Sequence, residues 1–250
     1  MDELTRGESG EGVMHLGPYL LGPNDTPENG IYTGDAISCM SCIPDDSIDA
    51  FVTDPPYGTH TNNRPQWMVG EFSNVIPLVL PEMYRTGTDN AALYTFTSWK
   101  WMADWIMRAS QYFRMQNFLI WDKQRHSGTY GAYSWQFHWE GIYYGIKGPR
   151  PIREYMPDVL RSKEVPSESM QKPVDVVMSL IRASTDEGDI VCDSFLGTGT
   201  TAVACALLGR RWLCFEIDAT MAADARERVA RLDGPLFVPE PEQAALWEAT

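Results

Sequence analysis

Asp54-Pro55-Pro56-Tyr57 closes an apolar run, Ile48 to Thr53, that reads as a buried strand. Consecutive prolines hold the backbone extended and stiff, and they remove two N–H donors while leaving the carbonyls as acceptors. The result is a rigid pocket edge with one carboxylate, one outward carbonyl and one aromatic face. Such an edge suits alkylation of an aromatic amine, whose lone pair is delocalised into its ring and therefore nucleophilically weak. If Asp54 and the Pro55 carbonyl each accept one amino hydrogen, the nitrogen is drawn toward sp³ geometry and its lone pair is freed for in-line attack. Fixed acceptors also stabilise the positive charge that develops on nitrogen. Pro56 stiffens the arrangement. Tyr57 offers a stacking face for a base swung out of its duplex. The competing reading is a stiff strand exit with Tyr57 packed on the core; the position at a strand's carboxyl end favours the chemical one.

A second group, Asp193-Ser194-Phe195-Leu196-Gly197-Thr198-Gly199-Thr200-Thr201, follows a strand and opens a helix. Gly197 and Gly199 permit dihedrals and close approaches that a side chain would block, so a nucleotide ligand can lie against this backbone. Glu216 ends the next strand, where a carboxylate can accept hydrogen bonds from both ribose hydroxyls. Thr201 or Ala202 stands where a dinucleotide site would prefer a third glycine, and no Gly-Lys-Ser/Thr follows as a phosphate loop requires. A nucleoside with an uncharged linker, such as S-adenosylmethionine, fits this turn better than a pyrophosphate ligand. Gly-x-Gly turns also serve tight packing alone.

Elements that could position these groups alternate between strand and helix. Strands are expected at Ile31 to Thr33, Ile48 to Thr53, Ala91 to Thr97, Phe118 to Trp121, Gly141 to Ile146, Ile190 to Asp193 and Trp212 to Glu216. Helices are expected up to Ile43, over Val75 to Tyr84 despite Pro77 and Pro81, and over Trp99 to Phe113. Others follow at Val174 to Ala183, Thr200 to Leu208 and Thr220 to Leu232. The fold expected is α/β, a doubly wound and mostly parallel sheet. In such sheets ligands bind beyond the carboxyl ends of the strands where the strand order reverses. Were strands 48–53 and 190–193 neighbours at that point, the two groups would face each other.

With 250 residues the chain suits one α/β domain. Residues 31–232 are expected to form it, between an acidic arm at 1–30 and an acidic tail at 233–250. No stretch approaches the length of a membrane span, and the N-terminus lacks a signal-peptide centre, so a cytoplasmic location is expected. Five cysteines without framework spacing argue against a disulfide scaffold. Cys39-Met40-Ser41-Cys42 lacks a second ligand pair for zinc, and His60, His126 and His138 have no ligand partners, so no metal is expected. The net charge of −14 runs against nucleic-acid binding, but it is unevenly spread: the ends carry −5 and −4, while residues 100–172 carry +4.

Several motifs, in order over roughly Ile31 to Leu232, resemble those of the DNA amino-methyltransferases that act on adenine N6 or cytosine N4. The order is the permuted one, with the catalytic motif before the cofactor motif. Gly34-Asp35 resembles the segment whose carboxylate contacts the cofactor's adenine, and Asp54-Pro55-Pro56-Tyr57 the catalytic motif. Phe118 to Lys123 and Trp139 to Gly148 are similar to a late strand pair flanking the base pocket. Gln171-Lys172-Pro173 looks like a cofactor-side motif, and Gly188 through Gly199-Thr200 to Glu216 closes the match. The resemblance implies S-adenosylmethionine as methyl donor. It also implies cofactor binding by Asp35, Lys172, Asp193, Phe195, Gly197, Gly199, Thr200 and Glu216, with Asp54 favouring adenine because cytosine-N4 relatives more often begin with serine. The chain departs from the pattern at Glu168, Ser194 and Cys214. Its recognition insert, 149–170, is too short for a domain of its own.

Basic residues interleaved with aromatics suit phosphate contact and base stacking. Arg150 and Arg153 in the short insert, Lys123 and Arg125 leading to Tyr133, and Arg64 after the catalytic group are the candidate DNA contacts. Solvated loops are the plain alternative for each. DNA with a flipped base is the expected substrate, and the small insert is compatible with a homodimer or a partner subunit. Rival readings are a cytosine-N4 or RNA base methyltransferase and, in another class, an inactive acidic anti-restriction decoy.

Overall fold

The computed structural model describes residues 15–16, 19–20, 29–56, 72–127, 133, 135–162 and 171–233. Strands β1 (His15–Leu16) and β2 (Tyr19–Leu20) form a small antiparallel pair. The other strands are β3 (Asn29–Thr33), β4 (Ile48–Thr53), β5 (Gly87–Thr97), β6 (Arg114–Ser127), β7 (Phe137–Ile146), β8 (Val159–Arg161), β9 (Ile190–Asp193) and β10 (Arg211–Glu216). They make one eight-stranded sheet in the order β3-β10-β9-β4-β5-β7-β6-β8. Only β7 runs against its neighbours. The helices are α1 (Ala36–Met40), α2 (Phe72–Thr86), α3 (Met102–Ala109), α4 (Val174–Ser184), α5 (Thr200–Leu207) and α6 (Ala219–Ala230).

Alternation along the central strands decides which helices cover which face. Phe51, Cys192, Leu213 and Phe215 pack with α1, α2 and α3, burying Met40, Leu80, Met83 and Trp105. Ala50, Val52 and Val191 point the other way, onto α4 and α5 through Val177, Leu180, Ile181 and Cys205. Cys214 and Ile31 meet Ala222 and Ala225 of α6. The sheet is thus covered on both sides, which is why its central strands read as continuous apolar runs. Cys39, Cys192, Cys205 and Cys214 are small buried core side chains, and Cys42 is half-buried.

The order of strands reverses between β4 and β9. From β9 the chain passes through α5 to β10 on one side; from β4 it passes through α2 to β5 on the other. β4 and β9 pair in parallel, with Ala50 opposite Val191 and Phe51 opposite Cys192, so the condition for the two sequence groups to face each other is met.

Some elements differ from expectation. β6 runs from Arg114 to Ser127, well beyond the strand expected at Phe118 to Trp121, and β7 begins at Phe137 rather than Gly141. A register irregularity between Asp122 and Ser127, with Gln124 at φ 57°, disguises the pairing as loop chemistry. The helix expected over Trp99 to Phe113 shrinks to Met102–Ala109, and Phe113 is buried beside the start of β6. α2 contains both Pro77 and Pro81, which remove two helical donors. Its buried face, Ile76, Val79, Leu80 and Met83, holds it in place. Among the described residues no helix is long and apolar enough to cross a membrane.

Candidate active site

At the seam between β4 and β9 the two strand ends are joined by side chains. Thr53 Oγ1 donates to Asp193 Oδ1 at 2.7 Å, across 140 positions of sequence. Thr201 Oγ1, one residue into α5, donates to Asp193 Oδ2 at 2.6 Å, and Phe195 N donates to Oδ1 at 3.0 Å. Burial pushes the Asp193 carboxyl up to about 6, against the pull of these three donors. Asp193, expected among the cofactor contacts, therefore lies beneath the turn and ties it to β4.

The turn above it has the geometry its glycines require. Gly197 (φ 56°) and Gly199 (φ 87°) lie in the left-handed region. A Cβ on Gly199 would come within 2.9 Å of Ala225 Cβ, so α6 closes onto the turn there. At Gly197 nothing lies nearer than Met221 Cε at 3.8 Å, which leaves room on that side for a ligand. Gly197 N donates to Glu216 Oε2 at 2.8 Å and Asp218 N to Oε1 at 2.9 Å, so the β10 carboxylate is fixed at the rim. Each of its oxygens retains a second lone pair for a hydroxyl donor. Asp35, after β3, is exposed and caps α1 by accepting from Ser38 N at 2.9 Å and Ser38 Oγ at 3.0 Å. Turn, Glu216 and Asp35 stand at the carboxyl ends of three adjacent parallel strands, β9, β10 and β3. The donor set fits a nucleoside lying across them, with hydroxyl hydrogens toward Glu216 and a base edge toward Asp35.

Asp54 follows β4 directly, with Pro55 buried and Pro56 half-buried behind it. The Lys172 ammonium lies against Asp54 Oδ2 and also 3.2 Å from Glu140 Oε2. Lys123 closes the series on Glu140 Oε1. Lys172 Nζ is 5.2 Å from the Phe96 ring centroid and 5.9 Å from that of Trp121; Lys123 Nζ is 5.1 Å from Trp121. Burial by itself would raise the Glu140 carboxyl, but the flanking ammonium groups of Lys172 and Lys123 outweigh it and hold Glu140 below its usual value.

Lys172, expected on the cofactor, thus has its ammonium on the Asp54 carboxylate, while its carbonyl accepts from Thr200 Oγ1 at 3.2 Å beside the glycine turn. It spans the two halves of the site. Arg228 of α6, which the sequence did not single out, donates to Thr198 O at 3.1 Å and to Thr200 Oγ1 at 3.2 Å. With its carboxamide oxygen turned toward α6, Gln171 accepts from Arg228 Nη1 at 2.7 Å and Nη2 at 2.6 Å. No spacing pattern marks Arg228, because its partners are reached only through the fold. Glu140 lay inside a strand singled out for its motif, without a role.

The candidate DNA contacts divide sharply. Arg150 is 7% exposed, bonded to Ser184 O, to Asn90 O at 3.0 Å and to Asp189 Oδ2 at 3.3 Å. Asn90 lies near the start of β5, just before its buried run, and Asp189 precedes β9, so Arg150 belongs to the amino ends of the strands, away from the site. Arg153 pairs with Asp186 at 2.9 Å at that same end. Lys123 is occupied by Glu140. Tyr133 is fully exposed, and Trp135, also exposed, precedes β7 at the carboxyl edge of the sheet. There Trp99 and Phe137 stack with ring centroids 6.4 Å apart. Tyr57 and Arg64, with the loop 59–71, lie outside the described residues, as do Lys163, Glu168, the N-terminal arm apart from β1, β2 and the start of β3, and the C-terminal tail. Arg125 lies in β6, its side chain outside the described set. No cluster of metal-ligating side chains occurs among the described residues.

The chain matches the profile of a family described as DNA methylase over residues 138–227. It is 29% identical to the putative methylase YubD of Escherichia coli K12 over 206 residues, covering 79% of this chain and 88% of that one. Among solved structures it is similar to TTHA0409 of Thermus thermophilus, a putative DNA modification methylase complexed with S-adenosyl-L-methionine. That likeness has a TM-score of 0.66 and 26% identity, over 83% of this chain and 95% of the other. The fold also matches PvuII DNA methyltransferase, which is cytosine-N4-specific, at a TM-score of 0.66 and 13% identity over 89% and 91% of the two chains.

Proposed function

We propose that this chain, which belongs to the DNA amino-methyltransferase family, transfers methyl groups from S-adenosylmethionine to adenine N6 of a flipped DNA base. The observation that carries the reading is the seam itself. The strand end that leads into Asp54 and the glycine turn meet at the switch point of the sheet, tied through Thr53, Asp193 and Thr201, which supports an amine held at the one facing a nucleoside on the other.

Bound at the turn, S-adenosylmethionine supplies an electrophilic methyl group on a sulfonium. Glu216 accepts from the ribose, Asp35 faces the adenine edge, and the backbone from Phe195 through Thr200 forms the floor. Asp54 and the Pro55 carbonyl accept the two amino hydrogens and orient the nitrogen lone pair toward the methyl group. As the N–C bond forms, the S–C bond would break with its electron pair passing to sulfur, leaving a neutral thioether. Positive charge grows on nitrogen beside the Asp54 carboxylate, which lowers the barrier and then takes the surplus proton. Tyr57 stacks on the base. An aspartate rather than a serine as the first residue of the catalytic group is what favours adenine over cytosine N4, since the fold is shared by both classes.

The test is transfer of labelled methyl from S-adenosylmethionine to unmethylated DNA, beside an Asp54→Ala variant, with the product nucleoside identified. N6-methyladenine that disappears with the variant is the expected result. N4-methylcytosine would correct the base, and label found only in RNA would correct the substrate.

A further inference from the structure

Buried between the base-binding edge and the strand pair β6–β7 is a series of alternating charges: Asp54, Lys172, Glu140, Lys123. Lys172, Glu140 and Lys123 are each less than one-fifth exposed. Formal charges cancel within the series, which is how ions persist in such a place. Its arrangement nonetheless conflicts with chemistry at Asp54. Lys172 already donates to Oδ2, and an ammonium competes for that acceptor better than a neutral base amine does. The amine can still reach Asp54, whose oxygens keep spare lone pairs, but a cation beside that carboxylate opposes the positive charge that grows on nitrogen. Full stabilisation requires Lys172 to draw back, and separating a buried cation from its anion is costly.

Glu140 resolves the conflict. Its Oε2 is 3.2 Å from the same ammonium, so Lys172 can be released by one carboxylate and taken fully by the other through side-chain rotation alone. The faces of Phe96 and Trp121 lie beside the ammonium along that path and keep it stabilised during the exchange. Lys123 occupies the opposite oxygen of Glu140 and keeps the receiving carboxylate in place.

We propose that Glu140 is a positioning residue for methyl transfer, the carboxylate onto which Lys172 is passed when a base amine takes over Asp54. This rests on the function proposed above. Glu140 never touches substrate; it acts by determining where Lys172 resides.

The decisive test is a double-variant cycle in the full chain, reading kcat and KM for DNA together with the Kd for S-adenosylmethionine. Glu140→Gln removes the receiving carboxylate and holds Lys172 on Asp54, so kcat is expected to fall by about tenfold or more while cofactor affinity stays within about twofold. Adding Lys172→Met to that variant removes the competitor and is expected to recover much of the loss. A merely structural Glu140 predicts the reverse, with the double variant worse than the single. Glu140→Asp, which keeps the charge, is expected to retain most activity and serves if Glu140→Gln does not fold. A double variant no more active than Glu140→Gln, or a Glu140→Asp variant as impaired as Glu140→Gln, overturns the proposal. A wild-type chain that transfers no methyl to any nucleic acid overturns the functional reading, and this inference with it.

Discussion

Two glycines of one turn are held there for different reasons, and they separate experimentally. At Gly199 the left-handed backbone is compounded by Ala225 Cβ at 2.9 Å, so Gly199→Ala is expected to destabilise the protein by about 1–3 kcal/mol in urea unfolding. At Gly197 the space is open and only the backbone conformation resists, so Gly197→Ala is expected to cost about 1 kcal/mol or less while weakening S-adenosylmethionine binding. Equal stability losses would refute the distinction. Asp193 offers a pH test. Its native carboxyl is raised to about 6 by burial, above the unfolded value near 3.8. The stability it contributes is therefore complete below about pH 4 and lost as pH rises through 6. The stability of wild type relative to Asp193→Asn should accordingly fall over that interval, by on the order of 2–3 kcal/mol, and level off above it. A difference that rises with pH would show that the three donors, not burial, dominate, and a pH-independent one that the two cancel.

Strands and helices were legible in the sequence where the chemistry of the backbone left a mark. Pro55 and Pro56 stop β4, the glycines open α5, and apolar runs identify β4, β5 and β9, so the two halves of the site could be located before their contact was seen. What could not be read is how charge is spent inside the fold. Lys123 and Arg150 look in sequence like surface cations, because nothing nearby in the chain announces Glu140 or the carbonyls of Asn90 and Ser184. The far end of β6, polar and irregularly paired, was hidden for a related reason: its partner is a distant strand, not its own periodicity. Arg150 clamps three elements, the start of β5, the end of α4 and the approach to β9. Arg150→Leu is expected to destabilise the fold by about 2–4 kcal/mol and to leave the salt dependence of DNA binding unchanged. A slope smaller by about one unit would instead make Arg150 a phosphate contact.

Taken whole, the molecule carries −14, and its inner cations are committed to internal partners. On the proposed function, DNA is expected to be held with few phosphate contacts and more stacking, for which Trp99, Trp135 and Tyr133 offer exposed rings. The logarithmic salt slope of DNA affinity is expected to be on the order of −3 or shallower, measured between about 50 and 200 mM salt. A slope near about −8 would require a basic surface beyond the described residues.

The pairing of β4 with β9 has a consequence for how the protein is made. β4 ends at Thr53, whereas β9 begins at Ile190. While the ribosome synthesises everything between them, one flank of β4 has no partner, its amides and carbonyls bare beside the apolar side chains of Ala50 to Val52. Folding of the centre must wait for β9, and a nascent chain paused before it would present an adhesive edge strand. Even then the sheet is not complete, because β3 waits for β10, made later still, to join it to β9.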